Sequence, residues 1–147
     1  MKIYSPALLD TNLLVYYHQQ LSPFHGQAKA VLETGLRGEM PLCICPQVLM
    51  EFYAVITNPK RVTHPISPEQ ALAEVEKYFT RKWIAKIYPK EDTLTITIDL
   101  LKKYRVKRME IFDLQLVATM LSNGVLHIYT FNQADFSKYS EITALIP

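Results

Sequence analysis

Short apolar runs alternate with longer segments of mixed polarity along the whole chain. The first run, Ala7–Leu9, ends abruptly in a carboxylate, a hydroxyl and an amide at residues 10–12. Further runs occur at residues 42–45, 84–88 and 128–130, and a last one at 143–146. Runs of this length bounded by polar residues predict buried strands. Because they alternate with helical segments, we expect a mostly parallel central sheet of four to five strands, covered on both faces.

The segments between the first three runs carry apolar residues at helical spacing. Ser22 and Pro23 predict the N-cap and first residue of a helix that ends near Gly38. Pro46 opens the next helix, and the pair at residues 58–59 (Asn-Pro) ends it. A proline-bearing loop follows, and Ser67-Pro-Glu-Gln then forms a capping box in front of a further helix.

The second half of the chain is predicted to supply two more helices. Residues 91–105 fit both the alternation of a strand and the spacing of a helix, and their length favours the helix. Asp113 is expected to be the N-cap of the following helix, which runs to Gly124. A short helical turn is expected near residues 134–139. We therefore predict a single α/β domain over residues 1–147.

Composition excludes several classes of protein. Hydrophobic residues make up 49% and charged residues 20% of the chain, which is too apolar for a disordered protein. No uninterrupted apolar run approaches the roughly 18 residues of a membrane span. Cys43 and Cys45 are too closely spaced for a CxxC redox or zinc pair, so we expect reduced, buried thiols. These features indicate a cytoplasmic protein with no membrane partner.

Positive charge is unevenly distributed, although the formal net charge is only +2. One local patch is formed by Lys102, Lys103, Arg105, Lys107 and Arg108. Such a patch is expected on a protein that binds a polyanion such as RNA. The alternative is that these cations simply lie at a helix C-terminus and on a solvated face.

Four acidic residues stand in contexts that suggest chemistry. Asp10 follows the first strand, where the ligand crevice of an open α/β sheet lies. Glu51 borders the apolar face of the helix from Pro46, Asp113 precedes an apolar helix, and Asp135 follows the last clear strand. The last three also have simpler explanations: Glu51 as a solvated glutamate, Asp113 as a helix cap and Asp135 as a turn residue.

Taken together these contexts resemble the PIN domain, most closely the compact VapC-like toxins of toxin–antitoxin pairs. Asp10-Thr11-Asn12 matches the family's Asp-Thr/Ser-Asn/Ser after the first strand, and Glu51 matches its helical glutamate. Asp113 begins a match to Asp-x-x-Ile/Leu/Val-Ala in which the alanine is one place late. The final motif, Thr-x-Asn/Asp-x-x-Asp-Phe, is matched by Thr130, Asn132, Asp135 and Phe136. The matches occur in order and extend over nearly the whole chain.

The resemblance implies a PIN-like three-layer α/β/α fold and hydrolysis of RNA phosphodiester bonds, leaving a 5′-phosphate and a 3′-hydroxyl. It implies that Asp10, Glu51, Asp113 and Asp135 form a catalytic set that holds Mg²⁺ or Mn²⁺, hard cations that prefer oxygen ligands. Supporting residues would orient these carboxylates: Thr11, Asn12, Thr130 and Asn132. The patch at residues 102–108 would then bind the RNA backbone. The sequence separates neither one ion from two nor tRNA, rRNA and mRNA as substrates.

The resemblance also implies a homodimer and a small VapB-like antitoxin lying across the helices around residues 12–57. Two other functions compete with this one. A phosphotransfer enzyme of the haloacid-dehalogenase type would carry a second aspartate two residues after the first, but here position 12 is asparagine. A non-catalytic PIN-like module that binds RNA or protein is the main alternative, and a missing acid would favour it, yet all four positions are filled.

Overall fold

Five short strands form one sheet in the computed structural model, which describes residues 5–147. Their order across the sheet is β3-β2-β1-β4-β5, and every pairing is parallel. The strands are β1 (Ala7–Leu9), β2 (Leu42–Ile44), β3 (Ile84–Lys86), β4 (His127–Tyr129) and β5 (Thr143–Leu145). The predicted parallel sheet is confirmed, with five strands.

Seven helices connect the strands in the described part of the chain. The chain moves from β1 to β2 and β3 on one side and then crosses back to β4 and β5. Right-handed crossovers that run in opposite directions place their helices on opposite faces of the sheet, which gives three layers. The helices are α1 (Thr11–His18), α2 (His25–Leu36), α3 (Pro46–Ile56), α4 (Pro68–Thr80), α5 (Thr93–Tyr104), α6 (Glu110–Ser122) and α7 (Gln133–Phe136).

The core forms where these layers meet. All residues of β1 and β2 are buried, as are the inward faces of α1, α3 and α6. Cys43 and Cys45 are both buried and unpaired, as expected. Between residues 5 and 147, the helices are all too short or too polar to cross a lipid bilayer.

Helix boundaries agree with the sequence at most positions. Ser67 and Gln70 form the predicted capping box of α4, and the ambiguous segment is the helix α5. The N-cap predicted at Ser22 is wrong, because α2 begins at His25. The Ser22 hydroxyl instead accepts a hydrogen bond from the N–H of Phe24 (3.1 Å), and its carbonyl accepts one from the N–H of His25 (3.1 Å). These bonds form a turn around the proline rather than a helix start.

Candidate active site

The carboxyl ends of β1 and β4 lie side by side at the centre of the sheet. The chain leaves β1 toward β2 on one side, whereas β4 and β5 occupy the other side, so this is the point where the strand order reverses. Ligands of open α/β sheets bind in the crevice at such a point. Asp10 follows β1 and Thr130 follows β4, which brings the first and last predicted motifs together.

Three groups hold the Asp10 carboxylate in place. Its Oδ1 accepts the N–H of Thr11 (2.8 Å) at the start of α1. Its Oδ2 accepts the hydroxyl of Thr130 (2.7 Å) and, at 3.3 Å, the side-chain amide of Asn12. Asp10 is thus both the N-cap of α1 and a carboxylate locked in one orientation at the crevice.

Asn12 and Thr130 also tie the two strand ends to each other. The N–H of Phe131 donates to Asn12 Oδ1 (3.2 Å), and the N–H of Asn132 donates to the Thr130 hydroxyl (2.9 Å). The network therefore fixes the loop after β4 relative to the start of α1. Asn132 contributes its backbone to this network, while its exposed side chain faces the cavity described below.

Burial opposes ionisation of Asp10. Only 8% of the residue is exposed, and this burial raises the pKa of its carboxyl to about 6. The hydrogen bonds from Thr130 and Thr11 act in the opposite direction, whereas the charges of Glu51 and Asp135 add to the increase. A cation beside Asp10 would reverse this balance.

Glu51 lies on α3 and reaches the same crevice. It is exposed rather than buried, and its Oε2 accepts the hydroxyl of Thr11 (3.0 Å). Its other oxygen accepts the side-chain amide of Gln47 (3.3 Å), one turn earlier on α3. The same Gln47 amide donates to the carbonyl of Phe112 (2.9 Å), which directly precedes Asp113. Gln47 therefore connects the helix of Glu51 to the helix of Asp113.

Asp113 does not cap its helix, so that prediction is wrong. Helix α6 begins at Glu110, with Met109 at the N-cap and no side-chain cap bond. Asp113 lies within the first turn, where a negative charge interacts favourably with the helix dipole. Its half-buried carboxylate faces the other acids instead of an N–H group of the helix start. Burial first, and then the charges of Asp10, Asp135 and Glu51, raise the pKa of Asp113 to about 6.

Asp135 lies in the short helix α7, in the loop that follows β4. Its side chain is exposed, and its N–H donates to the carbonyl of Asn132 (3.0 Å). The turn that was its simpler explanation is therefore present, yet the residue also borders the crevice.

All four acids line one open cavity of about 650 Å³. Thr11, Asn12 and Asn132 line it as well, whereas Thr130 lies behind Asp10, fully buried. Four carboxylates face only one cationic side chain among the described residues of the cavity wall, that of Arg61. This excess of negative charge, with two raised pKa values, fits a cavity that takes up a hard divalent cation.

The carboxylates do not form a closed ligand cage. Within residues 5–147, no three His, Cys, Asp or Glu side chains are grouped closely enough to hold an ion by themselves. Mg²⁺ typically binds one or two carboxylates and keeps several waters, so an open set of this kind still suits it. Asp10 and Asp113 would hold the ion, and Glu51 and Asp135 line the same cavity.

Two residues at or near the site belong to none of the sequence motifs. Arg61 lines the cavity. Gln47 is not part of the cavity wall, but it joins α3 to α6 through Glu51 and the carbonyl of Phe112. The predicted RNA-binding patch lies beside the cavity rather than in its wall: Met109 lines it, but none of the five cations at residues 102–108 does. One of them, Lys103, is paired with Glu141 (3.0 Å).

Known proteins resemble this chain in both sequence and fold. The family model of the PIN domain matches residues 7–142. Ribonuclease VapC24 of Mycobacterium tuberculosis is 30% identical over 131 residues, which are 89% of each chain. The crystal structure of Mycobacterium tuberculosis VapC20, described as a Sarcin-Ricin loop cleaving toxin, superposes with a TM-score of 0.70 at 15% identity, over 96% of this chain and 99% of that one. VapBC2 from Rickettsia felis, solved bound to a DNA fragment from the promoter, superposes with a TM-score of 0.68 at 16% identity, over 96% of this chain and 98% of that one. The structures support the PIN-like fold, and the family model and the sequence relative show that the chain belongs to the PIN domain family, among its VapC-like members.

Proposed function

We propose that this chain is a metal-dependent endoribonuclease and the toxin of a VapBC-type toxin–antitoxin pair. The observation that carries the proposal is the convergence of Asp10, Glu51, Asp113 and Asp135 on one cavity at the switch point of the sheet. Relatives such as VapC24 are named ribonucleases. We also propose that the protein acts in the cytoplasm, where its RNA substrate would be found.

Each side chain has a distinct role in this proposal. Asp10 and Asp113 bind the cation, which we propose to be Mg²⁺ or Mn²⁺, and Thr130 holds Asp10 in the orientation that binding requires. Glu51, held by Thr11 and Gln47, accepts a proton from the attacking water or anchors a second water. Asp135, which lines the same cavity, positions the attacking water. When bound, the ion would supply an acidified water and neutralise charge on the phosphate.

The proposed reaction is hydrolysis. Water adds its oxygen to phosphorus, the bond from phosphorus to the 3′-oxygen breaks, and a proton passes to that oxygen. The products are a 5′-phosphate and a 3′-hydroxyl. The cations of the patch at residues 102–108, next to the cavity rim, would neutralise RNA that extends beyond the cavity.

Cleavage of an RNA pool by the pure protein tests the function directly. We expect RNA fragments to form in the presence of Mg²⁺ and not in the presence of chelator. We expect Asp113→Asn to lower the cleavage rate at least about 100-fold. Glu110→Gln is the matched control, because Glu110 lies on the same helix but does not line the cavity. Ligation-based sequencing of the fragment ends would identify the 5′-phosphates and the RNA that is cut.

The result that favours the non-catalytic alternative is equally definite. If Mg²⁺ or Mn²⁺ raises the melting temperature of the wild type but no RNA in the pool is cut, the protein is a PIN-like binding module.

The partners follow from the same assignment. We propose a VapB-like antitoxin, because solved structures of similar fold are VapBC complexes. We also propose a homodimer, which the resemblance to VapC-like proteins implies. Light scattering after gel filtration would measure the dimer. A small protein that co-purifies in fixed stoichiometry and inhibits cleavage when added back would identify the antitoxin.

A further inference from the structure

The cavity extends well beyond the four acids. Its wall follows α1 from Thr11 to Gln19, which is about 12 Å of helix at 1.5 Å per residue. On the facing side it continues along α3 past Glu51 to Ala54 and Val55, and then to Arg61 in the turn that follows α3. Successive phosphates of one strand are about 3.4 Å apart along a duplex axis, so the cavity is long enough for more than one phosphate.

The turn that carries Arg61 is well built. The side-chain oxygen of Asn58 accepts the N–H of Lys60 (2.9 Å). The carbonyl of Asn58 accepts the N–H groups of Arg61 (2.9 Å) and Val62 (3.1 Å). Val62 is buried in the core, which anchors the far side of the turn. The backbone of Arg61 is therefore fixed while its exposed side chain borders the cavity.

The charge of Arg61 is not used inside the protein. Among residues 5–147, seven ion pairs form within 4.0 Å, and none involves Arg61. Among the described residues that line the cavity, Arg61 is the one cation, and four carboxylates line the same cavity. A guanidinium presents a planar fork of donors that matches two phosphate oxygens at once.

We infer that Arg61 is a substrate-positioning residue that binds the phosphate next to the scissile bond. This inference rests on the proposed ribonuclease function and assigns a second, metal-independent contact within the same cavity. The acids and their cation would take the reacting phosphate, and Arg61 would hold its neighbour, which fixes the direction and register of the RNA strand. The contact acts on binding in the ground state and the transition state alike, so it affects KM rather than kcat.

Arg61→Gln and Lys60→Gln form a matched pair for the test. Both remove one exposed cation from the same turn, but Lys60 does not line the cavity. We expect Arg61→Gln to raise KM about 10- to 100-fold with kcat nearly unchanged, the range for one charge-assisted contact. Lys60→Gln should change KM less than about three-fold. Arg61→Lys should recover part of the loss, since it keeps the charge but not the fork.

A modified RNA identifies the phosphate itself. Single phosphates of the RNA are replaced one at a time by neutral methylphosphonates. A methylphosphonate next to the cut should slow cleavage by the wild type. The same RNA should show no further loss with Arg61→Gln, which already lacks the contact. Equal effects of the Arg61 and Lys60 variants, or a loss confined to kcat, would overturn the inference.

A binding measurement separates this inference from the proposed function. Fluorescence anisotropy of a labelled oligoribonucleotide, measured with metal-free protein, should show weaker binding by Arg61→Gln and a salt dependence shallower by about 0.7, the value for one phosphate on a single strand. If wild type binds in this Arg61-dependent way but cuts no RNA, the nuclease function fails and the phosphate contact stands. If wild type cuts RNA and Arg61→Gln binds RNA like Lys60→Gln, the nuclease function stands and the phosphate contact fails. Circular dichroism of each variant checks that the fold is retained.

Discussion

The hydroxyl of Thr130 donates a 2.7 Å hydrogen bond to the Asp10 carboxylate across 120 positions of sequence. The bond joins the carboxyl ends of β1 and β4, so the central acid is oriented by the neighbouring strand and not only by its own helix. The single proton of this hydroxyl is donated to Asp10, while its oxygen accepts the N–H of Asn132. Thr130 thereby links the orientation of the acid to the shape of the loop that carries Asp135.

Removal of this hydroxyl should weaken metal binding. Thr130→Val keeps the volume but leaves Asp10 with one donor fewer, and the pKa of Asp10 should rise further because the Thr130 bond lowers it. We expect about 10- to 100-fold weaker Mn²⁺ binding, measured by titration calorimetry at pH 7.5. Thr130→Ser keeps the hydroxyl and should bind like wild type. Equal affinity of the Val and Ser variants would show that the hydroxyl does not act through Asp10.

The metal-free protein should become less stable as the pH rises from 5 to 7.5. The carboxyls of Asp10 and Asp113 have a pKa of about 6 in the folded protein, above the ordinary value of 3.8. Because each binds its proton more tightly when the chain is folded, its stabilising contribution is complete below about pH 4 and is lost as the pH rises through 6. Added Mg²⁺ should restore stability at pH 7.5 and have little effect at pH 5, since protons then compete for the ligands.

The difference between wild type and Asp113→Asn isolates this effect from the titration of histidines. Melting temperatures measured in chelator should fall less between pH 5 and 7.5 in Asp113→Asn, because one of the two titrating carboxyls is gone. Glu110→Gln, an exposed acid on the same helix, should retain the wild-type decrease. A decrease in Asp113→Asn as large as in wild type would contradict the raised pKa.

The bridge made by Gln47 predicts a variant with reduced activity and near-normal stability. Gln47→Leu removes the donors to Glu51 and to the carbonyl of Phe112, so α3 and the first turn of α6 lose their direct connection. We expect about a ten-fold loss in cleavage rate, because small displacements of positioned groups are costly, and about 1 kcal/mol or less in unfolding free energy. Gln115→Leu, at an exposed position on α6, should alter neither quantity. Full activity in Gln47→Leu would mean that the acids keep their places without the bridge.

The sequence correctly predicted those structural features that depend on the pattern of adjacent residues. Strand β1 and the capping box at Ser67 were placed correctly because hydrophobic runs and cap chemistry are encoded by adjacent residues. The start of α6 was misplaced because Asp113 is a good N-cap residue, whereas the backbone begins the helix at Glu110 without any side-chain cap. The local N-cap preference of aspartate therefore did not determine where α6 begins.

The composition of the cavity was predictable only in part. Asp10 and Asp135 follow strand ends, and such positions meet in a parallel sheet, so their approach has a local signal. The approach of Asp113 depends on how α6 packs, and that of Arg61 depends on a turn in a proline-bearing loop, which no periodicity describes. The cluster of cations at residues 102–108 gave the stronger sequence signal, yet Arg61, in the turn that also carries Lys60, is the cation of the described cavity wall. Charge density along a chain does not identify the side chain that faces a site.

Two glycines of α2 test the packing of this helix on the sheet. A Cβ on Gly35 would lie 2.5 Å from Cδ1 and 2.9 Å from Cγ of Leu42, and 3.1 Å from a ring carbon of Trp83. Because Leu42 is buried in β2 and protein cores are closely packed, Gly35→Ala should lower the unfolding free energy by about 1 to 3 kcal/mol. Gly26 has no atom within 4 Å of the same position, and Gly26→Ala should be neutral or stabilise by up to about 1 kcal/mol, since alanine favours the helix. Urea unfolding of metal-free protein measures both. Because the two substitutions add the same methyl group to the same helix, equal effects would show that Gly35 is not pressed against β2.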